Sequence, residues 1–228
     1  MTTDLENRRP LKTRSASWAR AAAARLAKAN VSPDAISCAS VACAVLGGSL
    51  LMLAGGLGPA GRAAALIGAA LCIQLRLLCN LLDGLVAVEH GKATPAGPLW
   101  NELPDRVADV LFLVGAGYGA RTAGLHGAEA VGWLAAVLAV TTAYVRELGR
   151  GLGQPADFSG PMAKPHRMAA LTIACLISLF EPIWGGNGPL MFAALAIIAV
   201  GTLITVVRRT RRLAIRLSDT LQSEDAED

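Results

Sequence analysis

Two neighbouring apolar stretches of this sequence are interrupted by groups that do not belong in hydrocarbon. The first holds Arg76, Asn80 and Asp83; the second opens on Asn101, Glu102, Asp105, Arg106 and Asp109. Ionisable side chains at membrane depth are costly, and they face a cavity or a partner rather than lipid. On an α-helix Arg76, Asn80, Asp83, Gly84 and Ala87 share an arc of roughly 100°, and Asn101, Glu102, Asp105 and Asp109 share a similar one. If the two stretches are antiparallel neighbours, their polar faces meet. Crowded carboxylates repel and take up protons, and a hard divalent cation with oxygen ligands relieves that repulsion. Gly84 and Ala87 keep their face free of bulk, so a ligand can approach the backbone. Arg76, one turn from Asn80, is placed to meet a phosphate. A plainer reading makes the same residues a packing network in which Arg76 and Arg106 pair with acids.

The elements that must position these groups are membrane helices. The chain has 228 residues, 54% of them hydrophobic and 17% charged, which is too apolar for an ordinary soluble domain. The apolar residues come in blocks, near 35–54, 63–88, 102–120, 128–148, 167–184 and 189–207. Each block has about the 17–25 residues that a spanning helix requires. The expected fold is therefore all-α and polytopic, with six transmembrane helices and an N-terminal amphipathic interfacial helix. The chain divides into a flexible segment 1–14, the interfacial helix 15–34, a six-helix membrane domain 35–212 and an acidic C-terminal tail 213–228. In the interfacial helix Trp18, Ala22 and Leu26 lie opposite Arg20, Arg25 and Lys28, which suits an anionic lipid surface.

Seventeen of the Lys and Arg residues fall on the side of the termini, against only Arg62 and Arg121 on the other. That asymmetry puts both termini, and the polar cluster near them, on the cytosolic face of the cell membrane. Because the basic groups flank apolar segments, lipid headgroups rather than nucleic acid are the expected partners. The five cysteines lie in apolar segments without zinc-ligand spacing.

The sequence Asn80-x2-Asp83-Gly84-x2-Ala87-Val88, followed after twelve residues by Asn101-x3-Asp105-x3-Asp109, resembles the motif of the CDP-alcohol phosphatidyltransferase family, D-x2-D-G-x2-A-R-x8-G-x3-D-x3-D. The six-span layout resembles it too. The departures are Asn80 for the first Asp, Val88 for the Arg, Asn101 for the second Gly, and a longer link. The resemblance implies transfer of a phosphatidyl group from a CDP-linked lipid alcohol, typically CDP-diacylglycerol, to the hydroxyl of a second alcohol, with release of CMP. It implies Mg2+ or Mn2+ held by Asp83, Asp105 and Asp109, with Asn80 offering a neutral oxygen and Glu102 restoring the missing carboxylate. Asp109 is the implied base, and Gly84 and Ala87, with Arg76, are the implied nucleotide and diphosphate contacts. A homodimer is implied as well. The segment 145–169 resembles the cytosolic connection of phosphatidylglycerophosphate synthases in that family. There Arg146, Lys164 and Arg167 form either an anion site for a small, phosphorylated alcohol acceptor or a set of headgroup contacts.

Two other functions use intramembrane acids. A membrane prenyltransferase binds magnesium diphosphate through aspartates, but on motifs far apart in sequence. An ion or proton transporter favours acids at mid-membrane on broken helices, whereas these gather toward one face.

Overall fold

The structure, a computed structural model, describes residues 16–89, 91 and 95–225. The expected flexible segment 1–14, Lys92, the side chain of Asn101 and the last residues of the acidic tail lie outside that description. All elements among the described residues are helical: α1 (Ser17–Lys28), α2 (Pro33–Ala54), α3 (Pro59–Glu89), α4 (Gly97–Thr122), α5 (Ala128–Gly151), α6 (Lys164–Ile177) with a 3-10 continuation (Ser178–Trp184), and α7 (Pro189–Asp225). The start of α2 shows why a helix begins there. Ser32 accepts a 3.1 Å hydrogen bond from the Ala35 amide, and Pro33 supplies a helical φ where no amide donor is needed.

Five helical segments are long and apolar enough to cross a membrane: α2, α3, α5, α6 with its continuation, and α7. The stretch expected as a further span is α4, whose first half carries Glu102, Asp105, Arg106 and Asp109. The outer surface is strongly apolar. Leu53, Leu71, Val137, Ile173, Ile197 and Val200 all point away from the core, as a lipid-facing surface requires. Helix α7 runs without a break past residue 212 to Asp225, so the last span and the start of the acidic tail are one helix.

The helices pack in an order that differs from the sequence expectation. Helix α2 packs extensively against both α3 and α4, whereas α3 and α4 touch each other only sparsely. The reason is the small residues. A Cβ on Gly48 would strike the Leu111 carbonyl, and one on Gly115 would strike the backbone of Gly48. Without those atoms α2 and α4 approach backbone to backbone. Helix α4 therefore docks on α2, and the polar faces of α3 and α4 look at each other across a gap. Long polar side chains, rather than close helix contact, bridge it.

Two features brace this arrangement. Helix α1 lies against the C-terminal part of α3, burying Ala19 and Ala23 against Leu82, Leu85 and Val86, with Arg20 3.6 Å from Glu89. Trp18, expected on the apolar face, points outward. At the opposite end of α3, buried Arg62 pairs with fully buried Glu181. Arg62 also donates to the Ser178 carbonyl at 2.9 Å. Glu181 accepts from the Gly188 and Leu190 amides at 2.7 and 2.6 Å, where a carboxylate favours the start of α7.

Candidate active site

The C-terminal half of α3 carries Arg76, Asn80, Asp83, Gly84 and Ala87; the N-terminal half of α4 carries Glu102, Asp105 and Asp109. Asp83, Asp105 and Asp109 are all buried, as is Arg76. The structure joins Arg76 and Asn80 of α3 to Asp105 of α4, and each acid has a partner of its own: cations for Asp105 and Asp109, a hydroxyl for Asp83.

Asp105 is the hub. Arg76 donates to its Oδ1 at 2.5 Å. Lys164, the first residue of α6, donates to its Oδ2. The Asn80 amide approaches the same Oδ2 at 3.5 Å, the outer limit of a hydrogen bond, and Arg106 lies 3.9 Å from it. Asp109 Oδ2 accepts from Arg167 Nη2 at 2.5 Å, and Arg167 also donates to the Met162 carbonyl at 3.0 Å. Asp83 Oδ2 accepts a 2.8 Å hydrogen bond from the buried hydroxyl of Ser37. A Cβ on Gly84 would meet no atom within 4 Å, so open space adjoins the backbone next to Asp83.

Glu102 is placed differently. Its carboxylate is held by Arg106 in the same helix and by Arg146 of α5, the latter at 2.5 Å. Arg146 also binds Glu147 at 2.8 Å and lies over the Phe158 ring, 5.4 Å from its centroid, close enough for a cation–π contact.

Sequence reasoning missed two groups. Ser37 lies inside an apolar span and gave no signal there. The second group ties the 152–163 connection to α7. Arg209 donates to the carbonyls of Ser159 and Thr142, both at 2.9 Å, and Arg212 donates to Ser159 Oγ at 2.8 Å. In sequence these arginines read only as topology charges. Asp157 belongs to this knot. Burial alone would raise its carboxyl, but hydrogen bonds from Ser159 and the Arg209 and Arg212 guanidiniums outweigh that and hold it below its ordinary range.

Among the described residues no three His, Cys, Asp or Glu side chains converge tightly enough to enclose a metal ion as they stand. The donor set nevertheless fits a hard divalent cation. Asp83 Oδ1 and Asp109 Oδ1 are buried and have no hydrogen-bond partner, and an anionic oxygen left so is expensive unless something else satisfies it. All the side-chain donors are oxygens, which suits Mg2+ or Mn2+.

Residues 30–208 match the family model for CDP-alcohol phosphatidyltransferase. The phosphatidylinositol phosphate synthase of Mycobacteroides abscessus is 31% identical over 170 residues, covering 68% of this chain and 70% of that protein. Crystal structures of the Mycobacterium tuberculosis phosphatidylinositol phosphate synthase share the fold at 20% identity. The form with manganese and citrate superposes with a TM-score of 0.69, covering 86% of this chain and 88% of the other. The form with CDP-DAG bound gives 0.68, covering 87% and 94%.

Proposed function

The chain belongs to the CDP-alcohol phosphatidyltransferase family, and on that premise we propose that it transfers a phosphatidyl group from CDP-diacylglycerol to a phosphorylated polyol, releasing CMP. The observation that carries this reading is the trio Asp83, Asp105 and Asp109, buried on facing helices with Asp83 Oδ1 and Asp109 Oδ1 unpartnered. Inositol phosphate is the leading acceptor, because the relative at 31% identity is a phosphatidylinositol phosphate synthase.

Asp83 and Asp105, with the Asn80 carbonyl and bordering Asp109, would hold Mg2+ or Mn2+. When bound, the metal neutralises the diphosphate and stabilises negative charge during the displacement. The open face at Gly84 and Ala87 admits the nucleotide, and Arg76 fixes the orientation of Asp105. The acceptor hydroxyl oxygen attacks the β-phosphorus, the bond to the CMP oxygen breaks, and the hydroxyl proton passes to Asp109 Oδ1. Arg167 keeps the other oxygen of Asp109 engaged, so the free one faces the reaction. Arg146, Lys164 and Arg167 form the positive face that draws in an anionic acceptor.

The sixth span is α4, with its charges sheltered by α2 and α3. Helix α1 lies at the membrane interface, both termini and the active site face the cytosol, and the membrane domain works as a homodimer. Release of labelled CMP from CDP-diacylglycerol, measured with inositol phosphate against glycerol phosphate, tests the function. Turnover with neither acceptor would reject the reading. The transporter alternative predicts ion flux in proteoliposomes without any CMP release.

A further inference from the structure

Helix α7 carries Thr205, Arg209 and Arg212 at i, i+4 and i+7, on one face. All three hold the connection that runs from the end of α5 to the start of α6. Thr205 Oγ1 accepts from the Met162 amide at 3.0 Å. Gly160 lies against the same threonine: its φ of +124° favours glycine, and a Cβ there would strike Thr205. Arg209 binds the Ser159 carbonyl. Arg212 donates to Ser159 Oγ at 2.8 Å and stands 3.9 Å from Asp157 Oδ2. That carboxylate oxygen is buried without a hydrogen-bond partner, so the arginine charges of α7 are what compensate it. Asp157 Oδ1 accepts from the Ser159 amide at 2.8 Å, which closes a clasp of Asp157, Ser159 and Arg212.

The clasp adjoins the proposed acceptor cations on both flanks. Phe158, between the two clasp residues of the connection, lies against the Arg146 guanidinium. Further along, Met162 is held from two sides, its amide by Thr205 and its carbonyl by Arg167, at 3.0 Å each. Lys164 then opens α6. The acids Asp83 and Asp105 are held separately, by Ser37 and by Arg76. On the transferase reading above, we propose that the Asp157–Ser159–Arg212 clasp is a positioning device for the acceptor: it fixes Phe158 on Arg146 and Met162 on Arg167, and so sets how these cations meet the acceptor's phosphate. Arg212 acts through the connection and touches neither substrate. The part of α7 beyond the apolar span thereby serves acceptor affinity, and the CDP-lipid side of the site does not depend on it.

The test is CMP release by the full chain in detergent with Mn2+, varying CDP-diacylglycerol and the acceptor in turn. Acceptor binding is measured alongside by calorimetry. The acceptor is whichever of inositol phosphate and glycerol phosphate the wild type turns over. Misplacing a binding group by about 1 Å costs as much as about a hundredfold. With Thr205 and Arg209 still in place, Arg212→Ala is expected to raise the acceptor's KM and weaken its binding about tenfold, leaving kcat and the KM for the CDP-lipid within about twofold. Arg212→Lys, which keeps a cation beside Asp157, should recover most of the loss. Asp157→Asn, which keeps the shape and removes the charge, should show the same split between the two substrates. An acceptor KM unchanged in Arg212→Ala and Asp157→Asn would overturn the assignment while leaving the transferase reading standing. So would a fall in kcat and a rise in both KM values together with a lower Tm, which would make the clasp a general brace. A wild type that neither binds nor turns over either phosphate would overturn the transferase reading and the assignment with it.

Discussion

Ser37 on α2 donates a 2.8 Å hydrogen bond to Asp83 on α3, so a hydroxyl from one helix orients a carboxylate on the next. Both groups are buried, and Ser37 leaves Asp83 Oδ1 as the free oxygen. Groups that orient metal ligands typically tune affinity by about 10–100-fold. Ser37→Ala is therefore expected to weaken Mn2+ binding about tenfold, and Ser37→Thr, which keeps the hydroxyl, to recover most of it. A fall in thermal stability with unchanged Mn2+ affinity would mean that the hydroxyl only packs α2 on α3.

Chelation is the second check. With Asp83, Asp105 and Asp109 as the oxygen donors, excess EDTA should abolish CMP release, and added Mg2+ or Mn2+ should restore it. The helical fold should persist throughout, because the three acids keep their internal partners Ser37, Arg76, Lys164 and Arg167. Loss of helicity on chelation, measured by circular dichroism, would point to a structural metal instead.

At the other end of α3, Arg62 and Glu181 tie three elements together. Breaking a buried ion pair from one side costs about 3–5 kcal/mol, while replacing both partners with apolar residues is far less damaging. Glu181→Ala should lose stability on that scale, since it also strips the acceptor from the Gly188 and Leu190 amides. The double variant Arg62→Leu/Glu181→Leu should be more stable than Glu181→Ala. Thermal unfolding in detergent, compared across the set, decides it; equal losses would show that the helix cap, not the pair, carries the effect.

How much of this was legible in the sequence depends on which interaction was at stake. Helical period and block length were enough to mark the helices, and two coupled spacings put Asp83, Asp105 and Asp109 in one cluster. The sequence could not say that α4 would dock on α2 rather than closely on α3. That depends on Gly48 meeting Leu111 and Gly115, a contact between positions more than sixty residues apart. For the same reason Ser37 was invisible, since a serine in an apolar span carries no mark of its partner. The signs of Arg76, Lys164 and Arg167 were plain, but their pairing with Asp105 and Asp109 needed the third dimension.

The last prediction separates two roles for Glu102. As the substitute for a missing carboxylate at Asn80, it would have to face the ion. In the structure its carboxylate is gripped by Arg106 and by Arg146 Nη2 at 2.5 Å, and Arg146 is further fixed by Glu147 and the Phe158 ring. Both guanidiniums hold the same oxygen, Oε2, and so tie the carboxylate to α4 and α5 rather than to α3, which carries Asn80 and Asp83. Its effect should then run through Arg146, one of the three cations proposed to receive the acceptor. Glu102→Gln keeps the shape and removes the charge. It is expected to leave Mn2+ affinity within about twofold and to raise the acceptor's KM about tenfold, equivalent to roughly 1.4 kcal/mol, with little change in the KM for the CDP-lipid. Adding Asn80→Asp should not repair that defect. If Glu102→Gln instead loses Mn2+ binding and Asn80→Asp restores it, Glu102 is a metal ligand and the contact with Arg146 is incidental.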